Sequence, residues 1–508
     1  MTVRANLLAF ILLIVSMMAV PSVVFADCQD QGGNNVDGAN LDSNDVVTCT
    51  DTGGDQNATV GDGNQTGVQI TIEETGVITT PSDGVNINSG NVTNNGTIDF
   101  NGGDGVDIEG DGTVTNNGTI DVNFGDGVDI EGDGTVTNEG FIGFNAANGV
   151  DIDGDGTVTN NGTIDENFDD GVDIQGNGTV TNNGIIDFND GNGVLIEGDG
   201  TVINDGSIDD NFDDGIDIIG RGNVTNNGQI NNNFSSNGVD VEGGGTVTNN
   251  GQVNGNSSDG IDVEGSAAVT NNGEVNNNGS EGVDIEQGSL VNNGQINGNN
   301  GGGLQVEFDG NLNDSFANNE GAEVVGTDGT VAIDMMGGND QVTLHVKSTV
   351  VGTVDGGADF DTLTFQYEST SEDELADFAA LIASLNPAGG TLSFGGRTFT
   401  WVNFEDLQAL LTLIILEPVD GPPSGQECSA INLRTFLTPD GFRQVYSGFE
   451  LFPNGFLVAV YKRSDVMAGD SYALSDPSTP AWSVYLNPDG TLNVFNETGG
   501  IVGFGCEW

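Results

Sequence analysis

Carboxylates recur along this chain at intervals of 22 residues, and that spacing is the first chemistry it offers. Asp107, Asp129, Asp151 and Asp173 form one set, Glu109, Glu131 and Asp153 a second, and Asp111, Asp133 and Asp155 a third. If successive units stack as parallel strands, each set becomes a column of like charges about 4.8 Å apart. Such neighbours repel by roughly 1 kcal/mol per pair even in water. Over many rungs the sum reaches the whole stability of an ordinary domain. A hard divalent cation relieves that repulsion, because Ca2+ prefers carboxylate and carbonyl oxygens. Structural Ca2+ is therefore one expectation. A solvated acidic face, screened by salt, is the other.

The elements that must position these acids are visible in the repeat itself. A unit such as GVDIEGDGTVTNNGTIDVNFGD, from Gly105 to Asp126, returns with its first glycine at 84, 105, 127, 149, 171, 193, 215, 238, 260 and 282, and in degenerate form at 303. A fixed period of this length marks a solenoid, whose units bury their apolar faces only against one another. Each unit holds three strand-like segments; in one copy they are Val106–Glu109, Thr113–Thr115 and Thr119–Val122. Apolar and polar residues alternate within each, so Val106, Ile108, Val114 and Ile120 face inward while Asp107 and Glu109 face out. Gly110, Gly112, Gly118 and the Asn116-Asn117 pair fall at the corners, where positive φ is expected. The fold class that follows is all-β: a right-handed parallel β-helix with three strands per coil. Ten or eleven coils make a stack of roughly 50 Å.

Stacking turns other positions into columns as well. Phe100, Phe124, Phe144, Phe168, Phe188, Phe212 and Phe234 occur once per coil, two or four residues after an isoleucine. They predict a stacked aromatic ladder in the core, with a sugar-binding stripe as the alternative. Asn117, Asn161, Asn183, Asn227, Asn250 and Asn272 predict an amide ladder bonded along the stack. Arg221 follows Asp199 by one coil and is expected to pair with it. Thr113/Thr115, Thr135/Thr137, Thr157/Thr159, Thr179/Thr181 and Thr246/Thr248 form rows of the kind used to bind ice, interrupted at Ile203, Asn223 and Ala268. Paired carboxylates such as Asp169-Asp170 and Asp213-Asp214 offer an acid and a base for sugar cleavage. Those pairs recur with the repeat, whereas a cleavage site breaks it. No long insertion builds a cleft, so catalysis is not the expectation.

With 78 acidic residues against 8 Lys plus Arg, the chain carries a formal charge of -70. Nucleic acid is excluded as a partner, because phosphate contacts need a basic surface. Cations, cationic surfaces and neutral sugars remain. Residues 1–26 have the form of a secretory signal peptide, with Arg4, an apolar run from Leu7 to Val20, and Val24-Phe25-Ala26 before Asp27. No later apolar segment is long enough to span a bilayer. The expected site is secreted or at the cell surface. There four cysteines form disulfides, and Cys28–Cys49 with Cys428–Cys506 is the expected pairing, because each bond closes a separate terminal module. The expected organisation is a cap at 27–83, repeats at 84–307, closing coils at 308–416, a Pro/Gly-rich linker at 417–427 and an antiparallel β module at 428–508. Within the closing coils, Ser371 with Glu374 predicts a capped helix to about Leu385, and Gly395-Gly396 predicts a hairpin.

The repeats resemble those of secreted parallel β-helix proteins, including autotransporter passengers and related surface adhesins. GGADFDTLTF at 356–365 and GGRTFTWVNFEDL at 395–407 are similar to the closing coils of such passengers. The roughly 90 residues after Leu416 are too few for a passenger's membrane barrel. The resemblance implies a structural or adhesive role. Two segments also resemble calcium loops. Asp151-Ile152-Asp153-Gly154-Asp155-Gly156 matches the opening of an EF-hand loop, but Gly162 stands where its last ligand belongs. GGADFDTLT at 356–364 is similar to an RTX-type nonapeptide with Asp359 in place of a glycine, and Asp359 and Asp361 are its candidate ligands; GGND at 337–340 is a partial match.

Overall fold

The computed structural model describes residues 25–36, 41–54, 59–300, 303–327 and 329–414, with nine short strands between Thr435 and Gly505. Residues 1–24 of the expected signal peptide, Cys428 and Cys506 lie outside the described residues, while Phe25 and Ala26 begin the first strand. Two compact units are present, one within residues 1–342, 347–362 and 388–405, the other within 343–346, 363–387 and 406–508.

The first unit is a parallel β-helix. One coil consists of Val106–Ile108, Gly112–Asn116 and Thr119–Asp121. Each strand pairs in parallel with its counterpart 22 residues on, so Val106 meets Val128, Val114 meets Val136 and Ile120 meets Ile142. The ladder formed by the third strand of each coil has thirteen members, from Val77–Ile78 to Thr349–Val351. The columns begun by Val106, Ile108, Val114 and Ile120 are fully buried. Branched side chains suit this setting, because they pack well on a pleated surface covered on its inner face.

The corners differ from expectation. Gly110, Gly112 and Gly118 do not take positive φ. Their role is close approach. A Cβ on Gly118 would lie 2.1 Å from Gly96 O, and one on Gly105 would lie 2.6 Å from Gly127 O. Positive φ falls instead two residues after the buried isoleucine of the third strand. Phe100, Val122, Phe144, Glu166, Phe188, Asp210 and Asn232 all have φ between 53° and 59°. For Val122, a β-branched residue, that conformation is a genuine outlier.

Phe25–Asp30 runs antiparallel to Val46–Gly54, and Cys28 is bonded to Cys49 as expected. Parallel stacking starts within 27–83: Val46–Gly54 pairs with Thr66–Ile72, which pairs with Ser89–Asn94. It continues past 307, through Val306–Phe308, Val331–Asp334, Thr353–Asp355 and Arg397–Val402. The hairpin around Gly395-Gly396 joins Gly389–Phe394 to Arg397–Val402.

In the second unit, a helix spans Glu372–Ala383. The Ser371 side chain caps it by accepting from the Glu374 N–H, and Leu375, Phe378 and Ile382 are its buried face. It packs on the strand Asp406–Leu413. Antiparallel strands follow, among them the four-stranded meander Ser471–Leu474, Trp482–Leu486, Leu492–Phe495 and Ile501–Gly505. No helix among the described residues is long and apolar enough to cross a membrane.

Candidate functional site

Two columns of buried asparagine run the length of the repeats and hold the scaffold. In the first, Asn138 Nδ2 donates to Asn160 Oδ1 at 2.8 Å and to Thr163 O at 3.0 Å, and Asn160 repeats the pattern toward Asn182 and Ile185. This column extends from Asn94 to Asn318. The second follows the positive-φ residue of each coil. Asn123 offers both its backbone N–H, at 3.2 Å, and Nδ2, at 2.9 Å, to Asn145 Oδ1. It ends where Asn299 donates to Gln305. The expected ladder through Asn117, Asn161, Asn183, Asn227, Asn250 and Asn272 also forms, but it is exposed. There Asn183 Nδ2 donates to Asn161 Oδ1 at 2.7 Å and Asn272 Nδ2 to Asn250 Oδ1 at 2.8 Å.

On the first ladder the expected acid column is in register: Asp107, Asp129, Asp151 and Asp173 stand on consecutive rungs. Leu195 interrupts it, and Asp217, Asp240, Asp262 and Asp284 resume it. These side chains are half-buried. Burial, and then neighbouring carboxylates, push Asp107 up to about 7 and Asp129 up to about 8. The same causes raise Asp173 to about 7 and Asp284 to about 8.

Three residues before this column lies a second one, Asp83, Asp104, Asp126, Asn148, Asp170 and onward, of which the sequence singles out only Asp170 and Asp214, as members of acid pairs. Its side chains brace the corner. Asp104 Oδ1 accepts the Asp126 N–H at 2.7 Å, and Asp126 Oδ1 accepts the Asn148 N–H at 2.6 Å. Where this column carries an amide, it relieves the acid column: Asn148 Nδ2 donates to Asp151 Oδ2 at 3.3 Å. Asp151 accordingly rises only to about 6, with burial the leading cause. Where it carries an acid, carboxylates crowd. The ligand atoms of Asp83, Asp104 and Asp107 come within 4.8 Å of one another, as do those of Asp104, Asp126 and Asp129. The donor set is hard oxygen only, which fits Ca2+. Asp151, Asp173, Asp217 and Asp284 each keep a buried Oδ1 with no hydrogen-bond partner.

The other candidate ligands are placed differently. Glu109, Glu131 and Asp153 are exposed, and Asp153 accepts from Gln175 Nε2. Asp111, Asp133 and Asp155 are exposed too, and each gives one oxygen to a backbone N–H of the next coil, at 3.0, 3.0 and 2.8 Å. Arg221 meets Asp199 through its backbone N–H, at 3.0 Å, in this same column. Asp359 is exposed with φ 85°, whereas Asp361 is fully buried. The threonine rows are in register, and Ile203 and Ala268 replace threonine at their rungs. Of the paired acids, Asp169 and Asp213 are exposed while Asp170 and Asp214 are buried corner braces.

The phenylalanines overturn the core expectation. Phe124 is 61% exposed, Phe188 49% and Phe234 52%, with Phe168 and Phe212 also exposed and Phe100 and Phe144 partly so. The third strand ends one residue after its isoleucine, and the next residue turns to positive φ. Strand alternation therefore no longer points the ring inward. Seven consecutive coils thus carry one surface phenylalanine each, beside the outward-facing Asp99, Asp121, Asp165, Asp187 and Asp209. No family model, no curated protein and no solved structure matches the chain.

Proposed function

We propose that this chain is an exported structural and adhesive β-solenoid that presents the phenylalanine row to a neutral polysaccharide or a similar surface. The observation that carries the reading is that seven consecutive coils each set one of those rings at the surface, exposed on five coils and partly exposed on two. Exposed apolar side chains repeated coil after coil and rimmed by polar groups are the mark of an interaction site. Aromatic faces stack on the C–H faces of sugar rings, and the flanking carboxylates and amides accept and donate hydroxyl hydrogen bonds. The charge of -70 turns away anionic glycans. Buried amide columns keep the coils in fixed register, so the rings recur coil after coil at two set positions, two and four residues after the buried isoleucine. In this reading the acid columns are balanced by bound cations, Ca2+ foremost, and surface display follows from the expected signal peptide.

The test is retention of the mature chain on an array of immobilised neutral glycans. A Phe124→Ala/Phe168→Ala/Phe212→Ala variant is expected to lose retention while keeping its melting temperature. Undiminished retention by that variant rejects the reading.

A further inference from the structure

The surface phenylalanines fall into two columns that flank the buried asparagine of each corner. Phe124, Phe168, Phe212 and Phe234 directly follow that asparagine, whereas Phe100, Phe144 and Phe188 directly precede it. The first column climbs one coil at a time. The N–H groups of Phe124, Ala146, Phe168 and Phe212 donate to the carbonyls of Asn101, Asn123, Asn145 and Asn189, each one coil back, at 3.0, 2.9, 3.0 and 2.9 Å. The second column is as regular. There the N–H groups of Phe100, Val122, Phe144 and Phe188 donate to the carbonyls of Asp121, Gly143, Asp165 and Asp209, each on the following coil, at 3.3, 3.2, 3.1 and 3.4 Å.

From Phe100 to Phe212 the rings alternate between the columns. Where the second column carries a ring, the first carries Gly102, Ala146 or Asp190; where the first carries a ring, the second carries Val122, Glu166 or Asp210. Each column therefore shows a ring every second coil, at intervals of two strand spacings or roughly 9.6 Å. Taken together, the columns offer one ring per coil on alternating sides. Phe234 ends the pattern, because it follows Phe212 in the same column.

A zigzag of this kind has the symmetry of one class of polymer. In an extended β-1,4-linked chain of pyranose sugars, each sugar is turned over relative to the one before it, and the chain is a flat ribbon. Its two-sugar repeat of about 10 Å is close to two strand spacings. Laid along the coils, such a ribbon meets one ring per sugar, alternately at its left and its right. The outward-facing Asp121, Asp165, Asp187 and Asp209 accept hydrogen bonds from the hydroxyls at its edge. Chains linked α-1,4 or β-1,3 wind into helices and leave a straight line of rings within a few sugars.

We infer that the rings from Phe100 to Phe212 bind an extended β-1,4-linked neutral glycan along the stack, one sugar to each of six coils. The assignment rests on the adhesive reading and fixes the linkage of its ligand.

Calorimetric titration of defined hexasaccharides into the mature chain tests the inference. β-1,4-linked hexamers of glucose, mannose and N-acetylglucosamine are compared with α-1,4- and β-1,3-linked hexamers of glucose. At least one β-1,4 hexamer is expected to bind about tenfold or more tighter than both of the others, and to weaken as sugars are removed from it. A Phe168→Ala/Ala146→Phe variant moves one ring by a single coil and keeps the number of rings. Ala146 is exposed and makes the same backbone bond as Phe168, so the site accommodates the new ring. That variant is expected to lose about tenfold in affinity at an unchanged melting temperature. Equal affinity for all three linkages, failure of every β-1,4 hexamer to bind, or unchanged affinity in the shifted variant overturns the inference. The linkage comparison uses the wild type, so it decides the matter even where the variant does not fold. Retention of the chain on immobilised neutral glycans of another linkage leaves the adhesive reading standing while the β-1,4 assignment falls.

Discussion

Asn160 and Asn161 are adjacent, identical in type and opposite in environment. Asn160 is fully buried, donates to Asn182 Oδ1 at 2.8 Å and Ile185 O at 2.9 Å, and accepts from Asn138 Nδ2 at 2.8 Å. Asn161 is exposed, donating to Glu139 Oε1 at 2.6 Å and accepting from Asn183 Nδ2 at 2.7 Å. Replacing Asn160 by alanine removes all three of its side-chain bonds from a dry column. At about 1 kcal/mol net for each bond, the loss is about 3 kcal/mol, and the small void left behind adds to it. Replacing Asn161 removes two bonds that water replaces, so the change stays within about 0.5 kcal/mol. Urea unfolding followed by circular dichroism measures both variants. Amide exchange over the coils from 138 to 185 should accompany it, because a stacked array opens by sections rather than all at once. The reasoning is refuted if the two substitutions cost the same.

Other outcomes follow from the same geometry. Val122 holds φ 54°, so Val122→Gly relieves a left-handed strain of about 1–2 kcal/mol, less the entropy glycine adds to the unfolded chain. The urea midpoint is expected to rise, and a fall contradicts the strain argument. Gly118→Ala places a Cβ 2.1 Å from Gly96 O and is expected to destabilise by about 1–3 kcal/mol; a neutral result would mean the coils separate freely. Folding raises Asp107 to about 7 and Asp129 and Asp284 to about 8, above the unfolded value near 3.9. The folded chain then binds more protons than the unfolded one between about pH 4 and pH 8, so its stability is full below that window and is lost as pH rises through it. In chelator, the melting temperature is expected to fall between about pH 5 and pH 8; a rise would show that these carboxyls are not raised by folding.

The scaffold was legible because its signal is periodic. Val106, Ile108, Val114 and Ile120 recur with strand alternation, and their columns are the core. The same alternation, carried two residues past Val114, points Asn116 inward, so the buried amide column was open to inference. In the Asn116-Asn117 doublet the sequence alone does not mark which member faces in, and the exposed Asn117 carries the outer ladder. The phenylalanines defeated the parity argument for a local reason: the backbone turns to positive φ at Phe100, Val122 and Phe144, and alternation does not survive that turn. Asp104 and Asp126 were harder to see. They approach Asp107 and Asp129 only through the corner geometry, which spacing in the sequence does not express.

Which face meets a ligand is the central question, and calorimetric titration of a soluble neutral polysaccharide into the mature chain addresses it most directly. Three proteins suffice: the wild type, the Phe124→Ala/Phe168→Ala/Phe212→Ala variant, and a Thr157→Tyr variant that disturbs the threonine row on another sheet. Binding by the wild type and Thr157→Tyr, with loss of at least about tenfold in affinity for the phenylalanine variant, is the predicted result, since stacked aromatic contacts carry about 0.5–1.5 kcal/mol each beyond the area they bury. Binding that survives removal of the rings, or that fails only in Thr157→Tyr, contradicts the account.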